Sequence, residues 1–102
     1  MNYCAMCGKP AECEHHLVFG NSLRRIAEED GEVMLMPLCN DCHNMAEDVK
    51  KRIHGNMAAE KLSKMLGQAL WERWYMGDFG DAEESLALAR QNFIERYGRS
   101  YL

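Results

Sequence analysis

Two short stretches decide the reading of this chain: Cys4-Ala5-Met6-Cys7 near its start, and Leu38-Cys39-Asn40-Asp41-Cys42-His43-Asn44 further on. In each pair two intervening residues let a tight turn bring both sulfurs to a single ion. Two such pairs complete a tetrahedral shell of four thiolates, the closed arrangement of a structural zinc site. The 31 residues between Cys7 and Cys39 (8–38) leave room for a strand–loop–strand excursion. Cys13 is the fifth cysteine and reads as a bystander. An odd count, with no basic segment leading into an apolar run at the start, speaks against a disulfide framework and for a reduced, cytoplasmic setting.

Outward from the pairs, Gly8 and Pro10 mark a turn, and His16 to Phe19 is a β-favouring run ended by Gly20. Asn21 or Ser22 caps a brief helix over 23–30, with Gly31 as its stop. Glu28, Glu29 and Asp30 stand at the unfavourable end of its dipole, so it should be short. Glu32 to Leu38 reads as a strand whose Pro37 demands an edge or a strand end. A helix then runs from about Cys42 to Arg52 and is broken by His54-Gly55-Asn56, with Asn56 as the next cap.

The remainder is helical. Leu62, Met65, Leu66, Ala69, Leu70 and Trp74 recur at steps of 3 and 4 between Met57 and Tyr75 and form one apolar stripe. After a turn at Gly77-Asp78-Phe79-Gly80, Ala82, Leu86, Ala89, Phe93 and Tyr97 form a second stripe from Asp81 to Tyr97, closed by Gly98. Helices joined by so short a turn pack antiparallel. The fold class is therefore α+β: a zinc-stabilised core over residues 1–55 followed by two antiparallel amphipathic helices over 56–102, compact as a whole. Zinc answers a stability problem, because the first 55 residues are poor in large apolar groups. A structural zinc ion is worth on the order of 10 kcal/mol, comparable with the whole stability of a small domain.

Composition narrows function. The chain has 102 residues, 47% hydrophobic and 27% charged, with a formal net charge of −4. No third of it is basic as a whole, so contact with nucleic acid must rest on local charge such as Lys50-Lys51-Arg52, or on a bound cation. No apolar run approaches the roughly 20 residues of a membrane span. Eight methionines, with Trp71, Trp74 and Tyr75 close together, suggest an interaction surface on the C-terminal helices and a homodimer.

Three of the four histidines, His15, His16 and His43, lie beside the cysteine pairs or at the start of the excursion, and the fourth, His54, follows in the same half. His43 directly follows Cys42, so the metal knuckle sets its position. The combination of Cys4-x2-Cys7, His15-His16-Leu17 and Leu38-Cys39-x2-Cys42-His43-Asn44 resembles the zinc-ribbon branch of the HNH nucleases, including small phage and mobile-element members, over roughly residues 4–54. The resemblance implies a ββα-metal core in which two antiparallel strands and a helix cradle one divalent cation, Mg²⁺ or Mn²⁺. It implies His16 as general base and His15 and His43 as ligands of that cation. Neutral imidazole suits the first role, since it takes a proton from water near pH 7. For the third ligand two candidates stand: Glu47, at i, i+4 from His43, and His54, about 16 Å away along an unbroken helix and able to join only if that helix ends early and folds back. The chain departs from the family pattern at Met34, where the family carries an asparagine that orients the base; Asn21 is one candidate substitute. The expected function is metal-dependent hydrolysis of DNA phosphodiesters. The alternative is a catalytically silent zinc-ribbon module that binds nucleic acid or a protein partner.

Overall fold

Between the cysteine pairs the chain folds as a strand, a helix, a turn and a second strand. The computed structural model describes residues 3–20, 22–77 and 83–102. Strand β1 (Cys13–His16) pairs antiparallel with β2 (Leu35–Leu38), with Cys13 opposite Leu38 and His16 opposite Leu35. Helix α1 (Leu23–Asp30) connects them, and Gly31 ends it at φ +74° while its N–H bonds back to Ala27 and Glu28. Ser22 makes no side-chain cap bond, and Asn21, the other candidate, lies outside the described residues.

The strand expected over 32–38 is shorter than its sequence suggests. Gly31–Met34 is a 3₁₀ turn, and β2 starts only at Leu35. That turn drops the Met34 side chain into the core, while its carbonyl accepts from Leu17 N–H at 2.8 Å. The first strand likewise falls earlier, at 13–16 rather than 16–19, because residues 13–16 are the ones that face β2. A two-stranded sheet has only edge strands, which is how Pro37 is accommodated. The acids at the end of α1 have tertiary partners. Asp30 accepts from Trp71 Nε1 at 3.0 Å, Arg96 Nε at 2.9 Å and the Tyr97 hydroxyl at 2.6 Å, and Arg96 also meets Glu29 at 3.2 Å.

The helix expected from Cys42 to Arg52 does not form. A five-residue π turn (Asp41–Met45) ends at Ala46, whose ψ of 135° is extended, and a 3₁₀ turn (Val49–Lys51) follows, capped by the Asp48 side chain. The Arg52 guanidinium draws this loop together by donating to the carbonyls of Ala46 at 2.6 Å and His54 at 2.7 Å. Two partly buried carbonyl bonds to one cation outweigh the modest helix preference of this short segment.

Helix α2 (Met57–Met76) starts at Asn56, whose side chain accepts from Ala59 N–H at 3.2 Å. Helix α3 (Glu83–Tyr97) ends where Gly98 bonds back to Ile94. The turn expected at 77–80 falls, beyond Gly77, outside the described residues, as does Ala82. Contacts of Glu72 with Arg90, Trp71 with Phe93 and Gln68 with Ser100 run in opposite chain directions, so the helices are antiparallel.

The face that α2 buries is not its apolar stripe. Leu62, Leu66, Leu70 and Trp74 are 63%, 42%, 41% and 56% exposed. Ser63, Gly67, Gln68, Trp71 and Glu72 face inward. Each polar member has a partner: Ser63 bonds His15 and Leu17, Gln68 bonds Glu72, Ser100 and the Tyr101 N–H, and Glu72 pairs with Arg90 at 2.6 Å. Gly67 allows the approach. A Cβ there would stand 2.9 Å from both Leu17 Cβ and Val18 Cγ2.

Two apolar clusters result. Val18, Ala27, Met34, Trp71, Phe93 and Tyr97 form the larger, drawing on both sides of residue 55. Cys4, Leu38, Cys39, Cys42 and Ile53 form the other, around the cysteine pairs. Among the described residues no helix is long and apolar enough to cross a membrane.

Candidate metal centres

The first cysteine pair sits on a knuckle closed by Cys4 N–H to Lys9 O (2.6 Å) and Gly8 N–H to Cys4 O (3.0 Å), with Gly8 at φ +78°. Ala5 N–H donates to Pro37 O at 2.9 Å and so anchors that knuckle to the end of β2, from which the second pair follows. Glu12 joins the two by accepting from both the backbone and the side-chain amide of Asn40. The Sγ atoms of Cys4, Cys7, Cys39 and Cys42 consequently lie within 4.8 Å of one another, and none is in a disulfide.

This spacing fits zinc. A tetrahedron with bonds of about 2.3 Å has edges of about 3.8 Å, and Cys7 Sγ stands 3.7 Å from Cys39 Sγ. Burial resists ionisation of Cys4, yet backbone N–H groups of Cys39, Cys7 and Met6 overcome it and bring its thiol down to about 6. Burial and the neighbouring sulfurs push Cys42 up. The four cysteines are thus placed to hold a metal ion such as zinc. Cys13 stands apart, with its thiol on the Leu38 carbonyl at 3.3 Å.

A second cluster adjoins the first. His43 follows Cys42 in the π turn, His15 comes from β1, and His54 arrives on the returning loop, bonded through its backbone N–H to His43 O at 3.0 Å. The three offer ring nitrogens within 4.8 Å of one another. His43 Nε2 and His54 Nε2 are 3.0 Å apart, and each ring centroid lies 5.2 Å from that of His15. Phe19 packs on His54 at 4.7 Å and on His15 at 5.4 Å. Burial, then the neighbouring imidazoles, hold His15 down at about 3, and burial followed by His54 lowers His43. Neutral imidazole is the form that binds a metal, so the donor set fits a divalent ion.

Of the two third-ligand candidates, His54 belongs to this group, whereas Glu47 is exposed and outside it. The physical reason is the broken helix, since without a regular turn from His43 to Glu47 the i, i+4 argument lapses. His16, at the end of β1, lines the same cleft of about 290 Å³ as His15, His43 and His54, together with Glu14, Phe19, Arg24 and Asn44. Both histidines of the pair line this cleft although they are successive residues of β1. Met34, by contrast, is wholly buried in the larger cluster. Lys50 and Lys51 are exposed, while Arg52 is committed to the two carbonyls described above.

Two further residues touch the cluster from α2, and the sequence carries no signal for either. Ser63 lies 2.8 Å from His15 Nε2 across 48 residues of chain, and the Glu60 carboxylate stands 3.7 Å from His54 Nδ1. Comparison with protein-family models, with curated proteins and with solved structures gives no match.

Proposed function

We propose that the protein is a metal-dependent endonuclease that hydrolyses DNA phosphodiester bonds in the manner of the HNH nucleases, with His16 as general base and His15, His43 and His54 as ligands of the working cation. The observation that carries this reading is the shared cleft: His16 and the three-histidine cluster line it together, beside the cysteine cluster. Bound there, a divalent ion offsets charge that develops on the phosphate and the departing oxygen. Three imidazoles and no carboxylate suit a transition ion such as Zn²⁺ or Ni²⁺ better than Mg²⁺ or Mn²⁺. His16 takes the proton from the attacking water, His15 and His43 stay unprotonated and available as ligands, and Arg24 at the cleft brings positive charge to the phosphate. A cation held by His15, His43 and His54 would also ease the approach of DNA to a chain whose formal net charge is −4.

Nicking of supercoiled plasmid, measured across Mg²⁺, Mn²⁺, Ni²⁺ and Zn²⁺, tests the reading. His16→Ala should reduce the rate by about 100- to 10,000-fold, while zinc content and circular dichroism stay as in the wild type. Failure of the wild-type protein to nick DNA with any of these ions, or full activity of the variant, removes the proposal. A catalytically silent zinc-ribbon module is the second reading, favoured by Met34, which is packed in the core and orients nothing in the cleft. It requires a single tightly held zinc per chain and no second, exchangeable ion.

A further inference from the structure

Helix α2 reaches the three-histidine cluster through Ser63, one turn after Glu60. The Ser63 hydroxyl has one proton and two contacts. It donates to the Leu17 carbonyl at 2.8 Å and lies 2.8 Å from His15 Nε2. Ser63, His15 and Leu17 are 4%, 1% and 1% exposed, so water does not substitute for either bond. With its proton on Leu17, Ser63 accepts from His15, and His15 Nε2 must carry the hydrogen. The opposite arrangement, Ser63 donating to the ring, would withdraw from the Leu17 carbonyl its donor on α2, and an unsatisfied buried group is costly.

From this geometry we infer that Ser63 is a positioning residue that locks His15 in the Nε2–H tautomer and so presents Nδ1 as the nitrogen that binds the cation. The inference rests on the three histidines holding an ion and is independent of what that ion does to DNA. Glu60 works in the same direction on His54. Its carboxylate faces Nδ1 at 3.7 Å and accepts from Gly55 N–H at 3.1 Å, which leaves His54 Nε2 turned to His43 Nε2 at 3.0 Å. A partner on the far nitrogen of a ligating histidine fixes ring orientation and raises ligand basicity. In this chain one face of one helix supplies a hydrogen-bond partner at Ser63 and a facing carboxylate at Glu60, because residues three apart on a helix are neighbours.

The test uses the full chain with one equivalent of Zn²⁺ in the cysteine site and no DNA. Long-range ¹H–¹⁵N correlation spectra should show His15 with its proton on Nε2. Titration of Co²⁺, followed by its ligand-field absorption, should show a second site that Ser63→Ala weakens by about 10- to 100-fold and Ser63→Thr largely preserves. In Ser63→Ala the His15 spectrum should shift toward a mixture of tautomers. A wild-type His15 protonated on Nδ1 would falsify the inference, as would Co²⁺ affinity unchanged in Ser63→Ala or the absence of any second site. Loss of nicking with these readouts intact would defeat the nuclease reading alone.

Discussion

His15 concentrates most of the local physics of this protein in one side chain. It is 1% exposed, bonded to Ser63, and flanked by two other imidazoles. Burial first, and the neighbouring rings second, hold its protonation down at about 3 against an ordinary 6.5. The unfolded chain takes up a proton as pH falls below 6.5, and the folded chain does not until about 3. The contribution of His15 to stability is therefore fully present above 6.5 and is lost progressively toward 3, at up to about 1.4 kcal/mol per pH unit. Urea unfolding at a series of pH values should show this slope in the wild type and a flatter profile in His15→Asn. Equal slopes would remove the assignment. Met34 teaches the opposite lesson, for a position that the family resemblance marks as polar and catalytic is here a packed thioether.

At the scale of elements, the contact between α2 and the segment after β1 is a close joint on the way to the site. Leu17 and Val18 pass directly beneath Gly67, four residues and one turn beyond Ser63. Alanine is favoured over glycine in a helix by up to about 1 kcal/mol. Its methyl, however, would lie 2.9 Å from Leu17 Cβ, which cannot move without its backbone. Overpacking of this kind costs about 1–3 kcal/mol, so Gly67→Ala should lower stability and push α2 away from β1. Thermal unfolding checks the first consequence and weaker Co²⁺ binding at the histidines the second. A variant as stable as the wild type would show that the joint is looser than described. The loop from Ala46 to His54 is the complementary case, an element whose irregular path, held by Arg52, is what returns His54 to His43.

Across the whole molecule, the two apolar clusters divide the response to metal loss. The smaller is built around Cys4, Cys39 and Cys42, with Leu38 and Ile53 as its main apolar filling. The larger draws Trp71, Phe93 and Tyr97 together with Val18, Ala27 and Met34, and depends on no thiolate. A structural zinc ion contributes on the order of 10 kcal/mol, so chelation should release the knuckles and the loop to His54 while α2 and α3 keep much of their helix. Hydrogen exchange after chelation should rise first at residues 3–13 and 39–56, with circular dichroism retaining a helical signal. Unchanged exchange and melting after chelation would show that the four sulfurs carry no ion.

The amino-acid sequence by itself determined what depends on spacing between neighbours in the chain. The cysteine pairs form one cluster, His43 rides on the second of them, α1 begins and ends at 23 and 30, Asn56 starts the long helix, and Tyr97 and Gly98 end the last one. Helical periodicity located α2 but pointed to the wrong face, because its inward side chains are polar groups whose partners lie far along the chain. The same limit left His54 as one of two candidate ligands and concealed Ser63. Whether a helix breaks after Met45, and which side of α2 meets β1, depends on Arg52 finding two carbonyls, on Gly67 leaving space above Leu17, and on Glu72 meeting Arg90. Those energies belong to contacts that exist only once the chain has closed on itself, so only the tertiary structure decided them.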